Sequence, residues 1–320
     1  MSDRIPVIID GDFGVDEAFS LLMLSENPEV KLSGITTVFG CSPVENCTAN
    51  ALRLCELLNL RVPVAEGQAA PIMKNGRKYA DPRGAFLNGK DGLGGKSYML
   101  GEPQRVAKLM PAADFIARVA SDEKKITILT SGPLTNIAAF ILSYPELTDR
   151  IDGIAMAGGS AYGGDVRPAG EANISADPEA ARIVFSSGIR IVMFGLETAE
   201  DASLSKDDRE MVRVVGGKTG GFYYELLKSY SEAQERISDS RRTVLQGAIP
   251  AAWLSNQDLA QIVPCRVSID LDGQYTRGCT VTDYMCVNGG PNAFSAVKLD
   301  RTVFVRTLLD SFRTACNRNG

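Results

Sequence analysis

The chain has 320 residues, of which 44% are hydrophobic and 23% are charged, and its formal net charge at pH 7 is −5. This composition is ordinary for a globular protein with a large core, and the negative balance argues against non-specific partners such as nucleic acid or an anionic membrane surface. The chain contains no histidine. Ser-His-Asp and Cys-His catalysis are therefore excluded, and acid–base chemistry is left to carboxylates, Tyr, Lys, Cys or metal-bound water.

The seven cysteines are scattered and form no CxxC pair. Without histidine a zinc site is not expected, and reduced thiols are the default for such a pattern. The first ten residues lack the basic, apolar and small-residue order of a signal peptide. No apolar run approaches the ~18 residues of a membrane span. We therefore expect a cytoplasmic protein with no membrane partner.

The most informative stretch is PVIIDGDFGVDEA, at residues 6–18. Its apolar run from Val7 predicts a strand, and the pattern that begins at Ala18 predicts a helix. Between them lie four carboxylates, which we expect to share one site: Asp10, Asp12, Asp16 and Glu17. Open α/β folds place their chemistry at such strand ends, and calcium or magnesium compensates clustered carboxylates. The alternative is a solvated turn with a carboxylate that caps the helix.

The pattern that follows alternates strands with helices, as in a mainly parallel sheet flanked by helices. We predict strands at residues 30–39, 62–65, 125–130, 151–157 and 189–194. We predict helices at residues 46–58 and 111–121, from residue 137, and from the cap Asp177 with Pro178 in its first turn. Residues 68–105 form a long turn-rich segment, and such segments in compact domains are commonly functional or mobile.

The last third of the chain is predicted to be helical and charged over 201–245, with interleaved aromatic residues that we assign to packing. A buried helix over 243–254, strands at 266–271 and 280–287 and a final helix from Arg301 follow. No linker or repeat divides the chain, so we predict one α/β domain over residues 1–320. In that domain the acidic strand end and the loops near residues 40, 131 and 165 should meet at one edge of the sheet.

Motifs that resemble the inosine–uridine-preferring nucleoside hydrolase family run in order from residue 6 to about residue 280. The opening DGDFGVDEA is similar to the family's D-x-D-P-G-x-D-D-A. Similar matches are VPVAEG at 62–67, NGKDGLG at 88–94, SGPLTN at 131–136, EANI at 171–174, DPEAA at 177–181 and TRG at 276–278. A looser resemblance to haloacid-dehalogenase-like phosphatases rests on DGD at 10–12 and Thr130-Ser131, and it lacks the late acidic pair that those enzymes need.

The family resemblance implies an open α/β fold, a bound calcium ion (Ca2+) and hydrolysis of the N-glycosidic bond of a ribonucleoside or related ribosyl compound. It implies that Asp12 ligates the ion and acts as general base, with Glu17 and the main-chain carbonyl of Ser131 as further ligands. It also implies a set of substrate-binding residues: Asp16, Asn88, Asp165, Glu171, Asn173 and Gln246. An oxocarbenium-like transition state is served by an activated water and fixed negative charge. A homo-oligomer is the expected assembly.

Several positions depart from the family's pattern. Aligning residues 249–254 with the apolar helix after the family's H-D-P places Gln246 on the His and Gly247 on the Asp, which is a metal ligand. Asn88 stands at the family's loop His. Glu17 stands where the family has Asp, a change that calcium's flexible coordination shell tolerates.

The loss of a carboxylate at Gly247 weakens the implied calcium site, because ligand charge tunes calcium affinity over orders of magnitude. Asp239 and Asp258 are candidates to replace the missing ligand. Two hypotheses follow from these departures. The protein is a ribonucleoside hydrolase whose calcium is weakly bound or absent, or it is a catalytically degenerate relative that binds a ribosyl ligand or partner without turnover.

Overall fold

The computed structural model describes residues 4–73, 82–237 and 242–319. The strands are β1 (Ile5–Gly11), β2 (Val30–Thr37), β3 (Val64–Glu66), β4 (Ile126–Thr130), β5 (Ile151–Ala157), β6 (Ile191–Phe194), β7 (Ser203–Leu204), β8 (Thr243–Val244), β9 (Ala260–Ile269), β10 (Thr280–Asp283) and β11 (Ala293–Leu299). The helices are α1 (Val15–Glu26), α2 (Val44–Leu57), α3 (Pro82–Asn88), α4 (Ala112–Asp122), α5 (Thr135–Ser143), α6 (Ala172–Ala176), α7 (Pro178–Phe185), α8 (Leu196–Ala199), α9 (Lys206–Val215), α10 (Gly217–Glu235), α11 (Ile249–Ser255) and α12 (Arg301–Asn319). None of the helices in these ranges is long and apolar enough to cross a membrane.

A nine-stranded sheet with the order β10-β9-β11-β6-β5-β4-β1-β2-β3 forms the centre of the described residues. Strands β1 to β6 and β11 pair in parallel. Strands β9 and β10 are antiparallel additions at one end of the sheet. The sheet is therefore mainly parallel, as predicted, and the carboxyl ends of β1, β2, β4 and β5 lie side by side.

Helices cover both faces of this sheet. Side chains of β1 alternate between the faces, so Val7 and Ile9 belong to one hydrophobic cluster and Ile8 belongs to the other. Helices α1, α2, α10, α11 and α12 pack on the first face, and α4, α5 and α7 pack on the second. Each large apolar side chain buried in this way contributes about 1.5–3 kcal/mol. Burial on both faces explains why the central strands are nearly continuous apolar runs.

The bounds of several helices and strands in the structure agree with the predicted ones. Strand β5 covers the predicted residues 151–157, and α12 begins at Arg301. Helix α7 begins as predicted, with Pro178 in its first turn and the side chain of Asp177 accepting a hydrogen bond from the Ala180 amide over 3.1 Å. These starts were predictable because the capping residues are local in sequence.

Other predictions were wrong in detail. The helix predicted over 243–254 is instead the short strand β8, a 3₁₀ turn over Gln246–Ala248 and α11. Pro250 lies in the first turn of α11, where its missing N–H costs nothing, so the helix starts there. The turn-rich segment contains α3, and β11 was missed although it lies inside the sheet between β9 and β6.

Candidate active site

The site lies where β1 and β4 end beside each other. In the parallel pair formed by these strands, Asp10 lies opposite Thr130. The main chain of Ser131 continues that pairing, since its N–H donates to the carbonyl oxygen of Asp10 over 3.2 Å. A Cβ built at Gly11 would lie 3.1 Å from Glu17 Cγ and 3.2 Å from Ser131 Oγ. Only a glycine at this position lets the two side chains meet above the strand.

A cavity of about 370 Å³ opens at these strand ends. It brings together every site residue that the family resemblance assigns, together with the departing position 247: Asp12, Asp16, Glu17, Asn88, Ser131, Asp165, Glu171, Asn173, Gln246 and Gly247. These residues come from loops spread over most of the chain, and the predicted convergence of the loops near 40, 131 and 165 is confirmed. The roles of the individual residues stay predictions.

Asp12 is held at the cavity floor by the loop after β2. Its Oδ2 accepts a hydrogen bond from the Cys41 amide over 2.6 Å, and its side chain is only 8% exposed. A Cβ at Gly40 would lie 2.1 Å from the same oxygen, so this loop approaches Asp12 as closely as it does because residue 40 is glycine. The next residue, Phe13, is fully buried with φ 37°, an unusual backbone state for a large side chain.

Asp10 is the member of the acidic cluster that does not line the cavity. It is fully buried, and its Oδ1 accepts hydrogen bonds from Thr36 Oγ1 over 2.6 Å and Asn136 Nδ2 over 2.7 Å. Burial raises the pKa of Asp10 to about 6, although these two hydrogen bonds oppose the rise. The expectation that four carboxylates share one site is therefore corrected to three, and Asp10 joins β1 to β2 and α5.

Asp16 and Glu17 lie in the first turn of α1. Glu17 Oε2 accepts from the Gly14 amide over 2.8 Å, which satisfies a backbone donor at the start of the helix. Burial and, to a smaller extent, the neighbouring Glu17 charge raise the pKa of Asp16 to about 8, although the hydrogen bond from the Gly247 amide opposes the shift. Burial likewise raises the pKa of Glu17. The cavity floor therefore holds carboxyl groups whose charged forms are disfavoured unless a cation compensates them.

Glu171 forms the wall of the cavity at the start of α6. Its Oε2 accepts from the amides of Gly159 (2.9 Å) and Ile174 (3.1 Å), and the side chain is only 3% exposed. Burial raises the pKa of Glu171 to about 8, and the charge of Asp165 adds to the rise. The carboxyl group is thus rigidly held with an edge toward the cavity, a suitable arrangement for binding a hydroxyl group.

Asn173 links the ends of two strands. Its Nδ2 donates to the carbonyl oxygens of Ser131 (3.3 Å) and Ala157 (3.1 Å). Ser131 directly follows β4, and Ala157 is the last residue of β5. The Ser131 carbonyl that the resemblance assigns to the metal therefore already accepts one hydrogen bond. A carbonyl oxygen has two lone pairs, so this bond leaves room for a second partner.

The side chains of Asn88 and Asp165 are fixed by hydrogen bonds and an ion pair with neighbouring residues. Asn88 Oδ1 accepts from the Val15 amide over 2.8 Å, and its Nδ2 donates to the Gly84 carbonyl over 3.1 Å. Asp165 forms an ion pair with Arg83 and accepts from the Ala172 amide over 3.0 Å. Asn88 is thereby a cap of α1 as well as a lining residue.

Gly247 occupies the place of the implied fourth metal ligand, and the space there is filled. Its amide donates to Asp16 Oδ2 over 2.9 Å, and its carbonyl accepts from Ser20 Oγ over 2.8 Å. A Cβ at residue 247 would lie 2.7 Å from Asp16 Cβ and 3.2 Å from Glu17 Oε1. A longer side chain therefore fits at this position only if α1 moves.

Of the two candidates for a replacement ligand, the described residues include only Asp258, and Asp258 does not supply one. Asp258 is exposed in the turn before β9 and does not line the cavity. Asp239 lies outside the described residues. Across residues 4–73, 82–237 and 242–319, no group of three or more Asp, Glu, His or Cys side chains is arranged to hold a metal ion. The donors present fit a hard cation held by two carboxylates and one carbonyl, and do not fit the four-ligand set that the resemblance implies.

Sequence reasoning missed further cavity residues: Arg83, Tyr230, Gln234 and Arg242. Tyr230 and Gln234 lie on α10, among the aromatic residues assigned to packing. That assignment is right for Phe222 and Tyr223, which are buried in the core. For Tyr230 the assignment to packing is incomplete, because this residue also lines the cavity. It lies seven residues after Tyr223 and therefore on the same side of the helix, farther toward the cavity.

The family model described as inosine-uridine preferring nucleoside hydrolase matches residues 7–306. The pyrimidine-specific ribonucleoside hydrolase RihA of Escherichia coli O81 (strain ED1a) is 34% identical over 316 residues, which are 97% of this chain and 98% of the relative. The purine-preferring ribonucleoside hydrolase from Gardnerella vaginalis superposes with a TM-score of 0.90 at 29% identity, covering 98% of this chain and 99% of the other.

A plant nucleoside hydrolase, PpNRh1, superposes with a TM-score of 0.89 at 28% identity, covering 97% of this chain and 99% of the other. The matches extend over nearly the whole chain in both sequence and structure. They agree with the motifs in the sequence and with the mainly parallel sheet. The chain therefore belongs to the inosine–uridine preferring nucleoside hydrolase family.

Proposed function

We propose that the protein hydrolyses the N-glycosidic bond of ribonucleosides in this cavity, with Asp12 as the general base. The observation that carries the proposal is the position of Asp12. It lies at the cavity floor, at the carboxyl end of a central strand, held by the Cys41 amide. Family membership and the named activities of the relatives support the same reaction class.

The chemistry assigned to Asp12 is proton removal from the attacking water. The hydrogen bond from the Cys41 amide fixes the orientation of the carboxylate. As the water oxygen bonds to the anomeric carbon, the glycosidic carbon–nitrogen bond breaks. The electron pair of that bond leaves with the nucleobase. The proton from water passes to Asp12. Positioned general bases contribute about 10²–10⁴-fold to such rates.

The sugar is assigned to the polar residues around Asp12. Asp16 and Glu171 accept hydrogen bonds from the sugar hydroxyl groups, and Asn173 lies between the two strand ends where the ring would rest. Asp165, Asn88 and Gln246 are assigned to the rest of the substrate. Since most of these side chains are already held by backbone hydrogen bonds, the site is preorganised and loses little conformational entropy on binding.

A calcium ion would be held by Asp12, Glu17 and the Ser131 carbonyl. When bound, it would supply Lewis-acid activation of water. With no carboxylate at Gly247, the protein offers fewer charged ligands, and its affinity for the ion is correspondingly low. A bound cation would favour the charged forms of Asp16 and Glu17, whose pKa values are raised by burial.

The second candidate function is binding of a ribosyl ligand without turnover. It is favoured by one observation, the occupation of the fourth ligand position by the contact of Gly247 with Asp16.

Turnover assays separate the two functions. The purified protein, with and without added calcium, is incubated with inosine, uridine and a nitrophenyl riboside, and released ribose is measured. Ribose release above the no-protein rate supports hydrolysis; saturable binding with no ribose release supports the binding protein and rejects our proposal.

A further inference from the structure

Gln246 places a hydrogen-bond donor in the cavity that the rest of the described chain leaves unused. Its Nε2 is buried and has no hydrogen-bond partner among the described residues. The residue lines the cavity, and the next amide in the chain, that of Gly247, is bonded to Asp16. A buried N–H without a partner destabilises the state that leaves it unpaired. An acceptor atom on a bound ligand removes that cost, so Gln246 is oriented for a ligand.

Gln246 and two side chains of α10 that line the same cavity, Gln234 and Tyr230, are poor proton donors at neutral pH. The side-chain amide of Gln234 is engaged on both sides, donating to the Val244 carbonyl over 2.9 Å and accepting from the Val244 amide over 2.9 Å. Burial raises the pKa of the Tyr230 hydroxyl well above its usual range, and the charges of Asp16 and Glu17 raise it further. The chain has no histidine. Gln246 and these two side chains of α10 therefore donate hydrogen bonds more readily than protons, and the titratable Asp16 is assigned to the sugar.

The contrast between donating a hydrogen bond and donating a proton matters because breaking an N-glycosidic bond sends its electron pair to the leaving nucleobase. Purines and neutral pyrimidines leave as basic anions unless they are protonated, and a general acid accelerates such departures about 10²–10⁴-fold. A leaving group that is already cationic at the glycosidic nitrogen, such as a pyridinium, departs neutral. A weakly basic anion such as nitrophenolate departs without a proton as well. Neither needs an acid, and both offer acceptor atoms to an amide N–H.

We propose that this cavity selects ribosides whose leaving group departs unprotonated, with Gln246 Nε2 donating a hydrogen bond to that group. The inference rests on the proposed hydrolase function. Water oxygen bonds to the anomeric carbon, its proton goes to Asp12, and the electron pair of the broken bond stays with the departing nitrogen or oxygen. For a pyridinium riboside the products are ribose and a neutral pyridine. No oxidant or other co-reactant is required.

The test compares kcat/KM for four ribosides: inosine, uridine, the riboside of nicotinamide and 4-nitrophenyl riboside. We expect the last two to exceed the first two by about 100-fold or more. Inosine or uridine within about 10-fold of the nicotinamide riboside would overturn the inference while leaving the hydrolase function intact. If none of the four ribosides released ribose, the hydrolase function and the inference would be overturned together.

Two variants separate the role of Gln246 from the intrinsic reactivity of the substrates. Gln246→His introduces a proton donor with an ordinary pKa of about 6.5, so inosine and uridine should gain about 10-fold or more while the nicotinamide riboside changes little. Gln246→Met removes the amide at similar length and should lower kcat/KM for the nicotinamide riboside about 5- to 10-fold. Equal changes for all four ribosides in both variants would show a structural role and overturn the assignment.

Discussion

The amide of Gly247 donates a hydrogen bond to Asp16 Oδ2 over 2.9 Å, and a Cβ at residue 247 would lie 2.7 Å from Asp16 Cβ. This contact joins the turn before α11 to the first turn of α1. It fills the space in which the family resemblance places a metal-binding carboxylate. The departure at residue 247 is thus accommodated by close packing against a site residue.

The contact predicts that even a small side chain at residue 247 is costly. Gly247→Ala should lower the free energy of unfolding by about 1–3 kcal/mol, because the added methyl group is forced against α1. Gly221→Ala is the matched control, since a Cβ at Gly221 meets nothing within 4 Å. That control should be neutral or stabilising by up to about 1 kcal/mol, because alanine favours the helix. Urea unfolding measures both, and equal stabilities would contradict the packing argument.

Calcium binding should be weak and should depend on Glu17. We expect a dissociation constant of about 10⁻⁴–10⁻³ M by calorimetry, the range of sites with few charged ligands. Glu17→Gln should abolish the binding heat, and Asp258→Asn should leave it unchanged because Asp258 does not line the cavity. Submicromolar affinity, or loss of binding in the Asp258 variant, would show that the ligand set differs from Asp12, Glu17 and the Ser131 carbonyl.

Glu171 should make stability fall as the pH rises from about 5 to 8. Its pKa is raised from 4.5 to about 8 in the folded protein. The folded state therefore holds a proton that the unfolded state has released, and the stabilisation present below the unfolded pKa is lost as pH rises through the folded value. One such proton changes the free energy of unfolding by about 1.4 kcal/mol per pH unit.

Glu171→Gln keeps the acceptor oxygen for the amides of Gly159 and Ile174 but cannot ionise. In urea titrations between pH 5 and pH 8, this variant should lose less stability with rising pH than the unmodified protein. The exposed Glu232→Gln provides a control with the same chemical change. Parallel stability curves for the Glu171 variant and the unmodified protein would rule out the raised pKa of Glu171.

Asn88 should contribute to stability through α1. Asn88→Ala removes the acceptor for the Val15 amide and should cost about 1–2 kcal/mol. Asn88→Asp keeps that acceptor, and at about pH 4 its protonated carboxyl group can also donate to the Gly84 carbonyl, so at that pH it should retain more of the stability than the Ala variant. Thermal melts of the two variants at this pH rank them, and an Asp variant less stable than the Ala variant would contradict the capping role.

The sheet and the location of the site were predictable because their signals are local. The apolar run before Asp10 and the acidic turn after it mark a strand end, and α/β topology brings such ends to one edge. All the site residues that the family resemblance assigns line one cavity. The homo-oligomer and the cytoplasmic location stay predictions.

What the sequence could not show are relationships between distant segments. The separation of Asp10 from the cavity depends on Thr36 and Asn136, which lie 26 and 126 residues farther along the chain. The filled space at Gly247 depends on α1, and the cavity position of Tyr230 depends on how α10 packs. The strand β11 was missed because its pattern, AFSAVKL, becomes meaningful only beside β9 and β6.

The central claim is that Asp12 takes the proton from water, and the decisive measurement is ribose release by the Asp12→Asn variant from the riboside that the unmodified protein cleaves fastest. We predict that kcat falls about 10²–10⁴-fold, while Asp10→Asn, whose side chain lies outside the cavity, loses stability but keeps kcat within about 10-fold. A folded Asp12→Asn protein that releases ribose at the unmodified rate would contradict the claim.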